Sequence, residues 1–290
     1  MRKQGAQSRF LRNPLLRGDT GVCLILMLIL FSTSIFAQKK SVSPEAIFTN
    51  LKKPTSLYVT QDHIFVVESG RNRVIKLNHL GEIVNTVGFL GSGNYEFDTP
   101  IDIDATNGLK IYVSDNRNNR IQIFDRRFQY LTSLRRYPRA RSSRPIRPTH
   151  LSVNSFNELF FYDQDSNSII SVDDLGNKLD EFQIPNVIRE VSDLQLVGKD
   201  LYILDLKSKQ YHLLTYNGVE IRSYPLEGAI QIYVDKKGEE WLISSSSIRN
   251  SRETKDEILF PEDIVIVDVT KLNGVFYILT NKSVLIVQAD

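Results

Sequence analysis

IYVSDNRNNRIQIFD, residues 111–125, is the stretch whose reading decides the fold. Ile111-Tyr112-Val113 is a short apolar strand. Arg120 to Phe124 is a second strand, in which Ile121 and Ile123 alternate with Arg120 and Gln122. Between them stand Asp115, Asn116, Asn118 and Asn119, side chains that cap tight turns or tolerate left-handed backbone. The stretch therefore reads as a β-hairpin, and versions of it recur on both sides.

Working outward, each unit reads as an apolar inner strand, a second strand ending in an acidic or polar residue, a polar turn, a third strand and an outer strand. The first unit contains Leu57-Tyr58-Val59, Ile64 to Glu68, Arg73 to Leu77 and Ile83 to Val87. The unit holding the quoted stretch begins at Pro100 and closes with Tyr130 to Leu134; the third begins at Pro148 and ends with Lys178 to Ile184. The fourth runs from Val191 to Tyr224. A fifth starts with Ile230 to Val234 and Glu240 to Ile243, but its second half, Arg249 to Phe260, is charged and irregular. The sixth offers three strands, Val265 to Val269, Val275 to Leu279 and Ser283 to Val287, and lacks a fourth. The strand candidate around Ala46-Ile47-Phe48 would supply it and close the ring, removing the exposed sheet edges. A period of roughly 40 residues with four strands per unit is the mark of a β-propeller. The expectation is an all-β, six-bladed propeller of four-stranded blades, the last closed by the N-terminal strand. Gly81, Gly108, Gly176, Gly218, Gly238 and Gly274 fall at its expected hairpin turns.

The first 37 residues read differently. Arg2, Lys3, Arg9, Arg12 and Arg17 precede the apolar run Val22 to Phe36, which ends at Ala37. This is the pattern of a signal peptide, so residues 1–37 are set apart and 38–290 form a single domain. The expected location is secreted or periplasmic; an uncleaved N-terminal anchor is the alternative. Five of the 36 basic and one of the 34 acidic residues belong to the leader, so the remainder carries 31 basic against 33 acidic residues, a net of −2. The basic balance of the whole chain thus belongs to the leader and argues against nucleic acid as a partner. The single cysteine, Cys23, is also in the leader, which excludes disulfides and cysteine-based zinc sites from the domain.

Residues 97–134 resemble an NHL repeat through Pro100, Asp104, Gly108, Tyr112, Val113, Asp115, Asn119, Arg120, Ile121, Phe124 and Asp125. The first unit is similar through Pro54, Val67, Glu68, Asn72, Arg73, Val74 and Gly81. The third is similar through Pro148, Tyr162, Asp163, Asn167 and Gly176, with Ser168 where the pattern has arginine. The resemblance implies a six-bladed NHL-type propeller of the kind found in exported bacterial proteins. It does not imply one activity, since fold alone does not set function. Glu68–Arg73 and Asp115–Arg120 read as pairs bracing their turns.

Two candidate sites follow. Aligning the repeats places Ser56, Asp102, His150, Asp193, Gln231 and Asp268 on the innermost strands, around the axial channel. Asp102, His150, Asp193 and Asp268 could hold a divalent cation such as calcium or zinc. That reading makes Asp102, His150 and Asp193 the catalytic candidates of a metal-dependent lyase or hydrolase, an activity the resemblance also allows. Its bland counterpart is a channel lined by solvated polar groups. His63, His79 and His212 fall elsewhere and form no three-histidine zinc cluster with His150. The second candidate is the face bearing the turns between second and third strands. There the connection Arg135 to Pro148 carries Arg135, Arg136, Arg139, Arg141, Arg144 and Arg147 with Tyr137, and Arg117 emerges nearby. Arginine forks suit carboxylate, phosphate or sulfate groups. Its bland counterpart is a solvated linker balanced by Glu96, Asp98, Asp163 and Asp165. The expectation adopted is a binding or scaffold module without a cofactor, expected to be monomeric, whose ligand-binding residues are Arg135, Arg136, Arg139, Arg141, Arg144, Arg117 and Tyr137. Its partner is an acidic protein segment or an anionic cell-envelope polymer.

Overall fold

The computed structural model describes residues 40–106, 108–136, 144–252, 257–260 and 264–288. The propeller forms the unit Gln38–Asp290. The leader residues lie outside the described residues, as do Tyr137, Arg139 and Arg141.

Six antiparallel sheets make six blades. From axis to rim, blade 1 is Pro54–Val59, Ile64–Glu68, Arg73–Leu77 and Ile83–Val87; blade 2 is Pro100–Asp104, Lys110–Asp115, Arg120–Asp125 and Tyr130–Leu134. Blade 3 is Pro148–Val153, Leu159–Asp163, Ser168–Val172 and Lys178–Gln183; blade 4 is Asp193–Val197, Asp200–Asp205, Gln210–Thr215 and Glu220–Pro225. Blade 5 is Gln231–Val234, Glu240–Ile243, Ser247–Asn250 and Glu257–Leu259. Blade 6 is Ile266–Leu272, Val275–Thr280 and Val284–Gln288, completed by Glu45–Phe48. No helix among the described residues is long and apolar enough to cross a membrane.

Burial follows from this stacking. A second strand has a neighbouring blade on each face, so all five residues of Ile64–Glu68 are buried, whereas four of five in the rim strand Ile83–Val87 are exposed. The core is divided among the seams. One cluster joins blades 1 and 2 through Phe65, Val74, Phe97, Val113 and Phe124. Another joins blades 6 and 1 through Leu57, Ile64, Ile75, Tyr277 and Leu279.

The ring closes as the repeat count demands, with Glu45 opposite Ile286 and Ala46 opposite Leu285. Gly81 of blade 1 packs hard against this closing strand: a Cβ there would sit 1.9 Å from the Ile47 carbonyl oxygen, and its φ is +82°. Two features go beyond the sequence reading. Blade 5 is complete, because Ser247–Asn250 and Glu257–Leu259 pair normally within the segment read as irregular. Lys40–Ser41 then adds to Glu257–Leu259 as a parallel fifth strand. The N-terminal segment therefore laces two consecutive blades.

Strand direction defines the faces. Pro100 pairs with Asp115, and Asp115 with Arg120. Leu134 pairs with Ile121, and Pro148 with Asp163. The turns between second and third strands, the starts of the inner strands and both ends of the Arg135–Arg147 connection consequently share one face, the upper face.

Candidate functional site

The Asp115–Arg120 pair is structural. Both side chains are fully buried, with Arg120 Nε 2.8 Å from Asp115 Oδ2. The other guanidinium nitrogens donate to the carbonyls of Ser92, Gly93 and Glu96 in the preceding connection. Asn119 occupies the left-handed region at φ 53°, as do Asn72, Asn167 and Lys209 in equivalent turns. In blade 3, Ser168 stands where blade 2 has Arg120, and Arg144 reaches in from the preceding connection to pair with buried Asp163 at 2.8 Å. In blade 4, Asp205 instead accepts the N–H groups of Arg189 and Ser208.

The axial residues converge as the repeat alignment implies. Ser56 donates to Asp102 Oδ1 at 2.6 Å. His150 Nδ1 lies 3.8 Å from Asp193 Oδ1. Gln231 Nε2 donates to Asp193 Oδ2 at 3.1 Å and to Asp268 Oδ1 at 3.5 Å. Asp102, His150 and Asp193 each offer a ligand atom within 4.8 Å of the others. In blades 1, 2, 3 and 6 the pairing register shifts at this position, a local bulge that re-aims the side chain.

These side chains also lace the ring. Inner strands of adjacent blades belong to different sheets, so some of their N–H groups need side-chain acceptors. Asp102 Oδ2 accepts from Leu151 N–H of the next blade at 2.8 Å, and Asp268 Oδ2 from Leu57 N–H at 2.7 Å. Each aspartate also accepts the N–H of its own successor, Ile103 or Val269. A second tier lies two residues further along the strands, on the same side by the period of a strand. There Asp104 Oδ2 accepts from Val153 N–H, Gln195 Oε1 from Val234 N–H, and Tyr233 donates to the Lys271 carbonyl. This tier went unread in the sequence, although the same alternation locates it.

Burial sets the electrostatics. Desolvation pushes Asp102 up to about 6, with His150 opposing and Asp193 reinforcing the shift. Asp104 is pushed up to about 6 by the same cause. Asp268 is raised well above the usual carboxylate range by desolvation and then by Asp193. The donor set still fits a divalent cation. A carboxylate has about four lone-pair sites; Asp102 is engaged by Ser56, Ile103 and Leu151, while Asp193 is engaged by Leu194 and Gln231. Half-buried His150 makes no hydrogen bond through its ring to any described residue.

The arginine-bearing connection is built as an anchored projection. Arg136 bridges Pro145, and Ile146 N–H donates to the Arg135 carbonyl. Ile146 is buried in the seam between blades 2 and 3. Arg135 and Arg136 are exposed. The Arg117 side chain is 69% exposed, with Asp98 3.9 Å away. Arg144 and Arg147 face Asp163 and Asp165, so part of the basic charge is balanced locally.

Comparison with known proteins agrees with this architecture. Residues 97–124 match the NHL repeat family. A streptogramin B lyase structure superposes with a TM-score of 0.58 at 15% identity, covering 82% of this chain and 80% of that one. A virginiamycin B lyase from Staphylococcus aureus superposes with a TM-score of 0.57 at 11% identity, over 84% and 97% of the two chains. A structure described as U3-55K gives 0.59 at 10% identity, over 86% and 99%. At these identities the likeness shows the fold alone. No curated protein matches the chain in sequence.

Proposed function

From the premise of a six-bladed β-propeller carrying an NHL repeat in its second blade, we propose that the chain is a binding module for an anionic partner, engaged through the arginine-bearing upper face. The observation that carries this reading is the 135–147 connection. It holds six arginines and no acidic residue, and both its ends emerge on the upper face. Ile146 and the Arg144–Asp163 pair fasten its base, and the exposed side chains of Arg135, Arg136 and Arg117 surround it. A rigid scaffold bearing an added loop is where binding commonly resides. The partner is an acidic protein segment or an anionic envelope polymer, met in the secreted or periplasmic setting that the leader suggests. Replacing Arg135, Arg136, Arg139 and Arg141 with alanine tests the reading. Retention on an immobilised polyanion at low salt should fall. Unchanged retention of a folded variant would remove the arginine connection as the site.

A second reading rests on a separate observation, the convergence of Asp102, His150 and Asp193 within 4.8 Å. These residues would hold a divalent cation, which supplies Lewis-acid chemistry to a lyase or hydrolase. Asp102 also accepts the Leu151 N–H, so the informative variants are His150→Gln and Asp193→Asn. Calcium or zinc titrated into the purified chain should bind stoichiometrically and lose affinity in both variants. Absence of binding after loading with each metal rejects this reading.

A further inference from the structure

The six seams are not equivalent at the upper face, and the difference exposes a site. At the seam of blades 1 and 2, Arg120 is enclosed. The 88–98 segment lies over it and brings the carbonyls of Ser92, Gly93 and Glu96 to its two terminal nitrogens. Arg73 is the equivalent residue at the seam of blades 6 and 1, since Glu68 pairs with Arg73 as Asp115 pairs with Arg120. Its Nε meets Glu68 in the same way. Its two terminal nitrogens, however, have no partner among the described residues. The chain crosses this seam through the short run from Thr49 to Lys53, too short to lay a loop over the guanidinium.

A groove occupies that place. One lobe, of about 520 Å³, is lined by Ala46, Ile47, Phe48, Arg71 and Arg73. A second, of about 480 Å³, continues past Asn50 and Arg71 to Lys52 and Lys282. Both lysines are exposed, and their Nζ atoms have no partner among the described residues. No acidic residue lines either lobe, and Glu68 lies beneath them. It is fully buried and already engaged by Arg71, Arg73 and the Lys52 N–H. The groove thus combines uncompensated positive charge and open guanidinium donors with an apolar wall from Ile47 and Phe48.

We propose that this groove at the seam of blades 6 and 1 binds an extended acidic segment of a partner protein, whose backbone carbonyls and carboxylates take at Arg73 the place that the 88–98 segment takes at Arg120. The chain itself shows the mode of binding, because its own extended loop satisfies the equivalent arginine one blade away. Charge selects an acidic sequence. The lysines fix no hydrogen-bond geometry and act by steering. The site is separate from the 135–147 connection and does not rest on it.

The test is fluorescence anisotropy of the full chain with labelled oligoglutamate and oligoglutamine peptides of equal length. Oligoglutamate should bind at low salt and weaken as salt rises, and oligoglutamine should not bind. The double charge reversal Lys52→Glu/Lys282→Glu, on two exposed side chains, should weaken oligoglutamate about ten-fold or more. Arg73→Gln should do likewise; circular dichroism checks its fold, and the lysine pair stands independently of it. The comparison is repeated in a chain carrying Arg135→Ala, Arg136→Ala, Arg139→Ala and Arg141→Ala, where the arginine connection adds no oligoglutamate binding of its own and the lysine double variant should still weaken what remains about ten-fold. No oligoglutamate binding, or equal binding by the lysine double variant, overturns the proposal. So does a preference for polyphosphate with no peptide binding.

Discussion

Replacing Arg120 with methionine removes a cation that is fully buried in the fold. Four hydrogen bonds disappear: one to Asp115 at 2.8 Å, and three to the carbonyls of Ser92, Gly93 and Glu96 at 3.0, 2.9 and 2.7 Å. The carbonyls belong to a surface connection and can take up water, so each loss costs about 0.5–1.5 kcal/mol or less. Asp115 is the greater cost, because it is fully buried and left without its counter-charge. Breaking a buried pair from one side costs about 3–5 kcal/mol. Asp115 keeps the Asp98 N–H and Asn118, and desolvation already raises its pKa, so protonation offsets part of the loss. The expected destabilisation is about 3–5 kcal/mol, read from urea denaturation. Arg73→Met should cost less, since Arg73 is 28% exposed and, among the described residues, donates to Glu68 alone. Arg120→Met/Asp115→Leu should recover much of the loss, because no buried charge then remains unpaired. An Arg120→Met cost below about 1 kcal/mol, or one no larger than that of Arg73→Met, would refute the claim that this pair braces the turn.

Further outcomes follow from the axial and closing residues. Asp104 is raised from 3.8 to about 6 in the fold. The folded state therefore holds this proton where the unfolded chain releases it, and the associated stability is present at low pH and lost as pH rises through about 6. The amount is on the order of 3 kcal/mol. The urea midpoint of Asp104→Asn should accordingly gain less than that of the parent as pH falls from neutrality toward 4; identical pH slopes would contradict the assignment. Gly81→Ala should destabilise more than Gly108→Ala by about 2 kcal/mol. Both positions have positive φ, but only Gly81 meets the closing strand, while a Cβ at Gly108 meets nothing within 4 Å. Equal costs in thermal melts would argue against closure at Ile47. In the alternative axial reading, cation binding should weaken as pH falls through about 6, where Asp102 takes up its proton; pH-independent affinity would dissociate Asp102 from the ion.

The propeller was legible because its rule is local and repeated. An acid five residues before an arginine, with asparagine at a left-handed position, marks blades 1 and 2 from sequence alone. Blade 5 hid because a different chemistry builds its turn. Ser244 stands where blades 1–4 have an acid, and its Oγ accepts the N–H groups of Ser246 and Ser247. The added pairing of Lys40–Ser41 was illegible because two residues carry no periodicity. For the axial ring, counting positions along the repeat was enough to gather Asp102, His150 and Asp193. Their second duty was hidden, because Asp102 and Asp268 accept from Leu151 and Leu57, 49 and 211 residues away. Arg144 illustrates the same limit. In sequence it belongs to a basic cluster suited to ligands, whereas in the fold it supplies the cation that blade 3 lacks at Ser168.

Salt-dependent binding to a defined polyanion tests the central claim most directly. Labelled dextran sulfate is titrated into the parent chain and into the Arg135→Ala/Arg136→Ala/Arg139→Ala/Arg141→Ala variant across a range of salt concentrations, with thermal melts confirming that the variant is folded. The account predicts binding by the parent that weakens steeply with salt, and at least about ten-fold weaker binding with a shallower salt dependence in the variant. Equal affinity and equal salt dependence in the two proteins would contradict it.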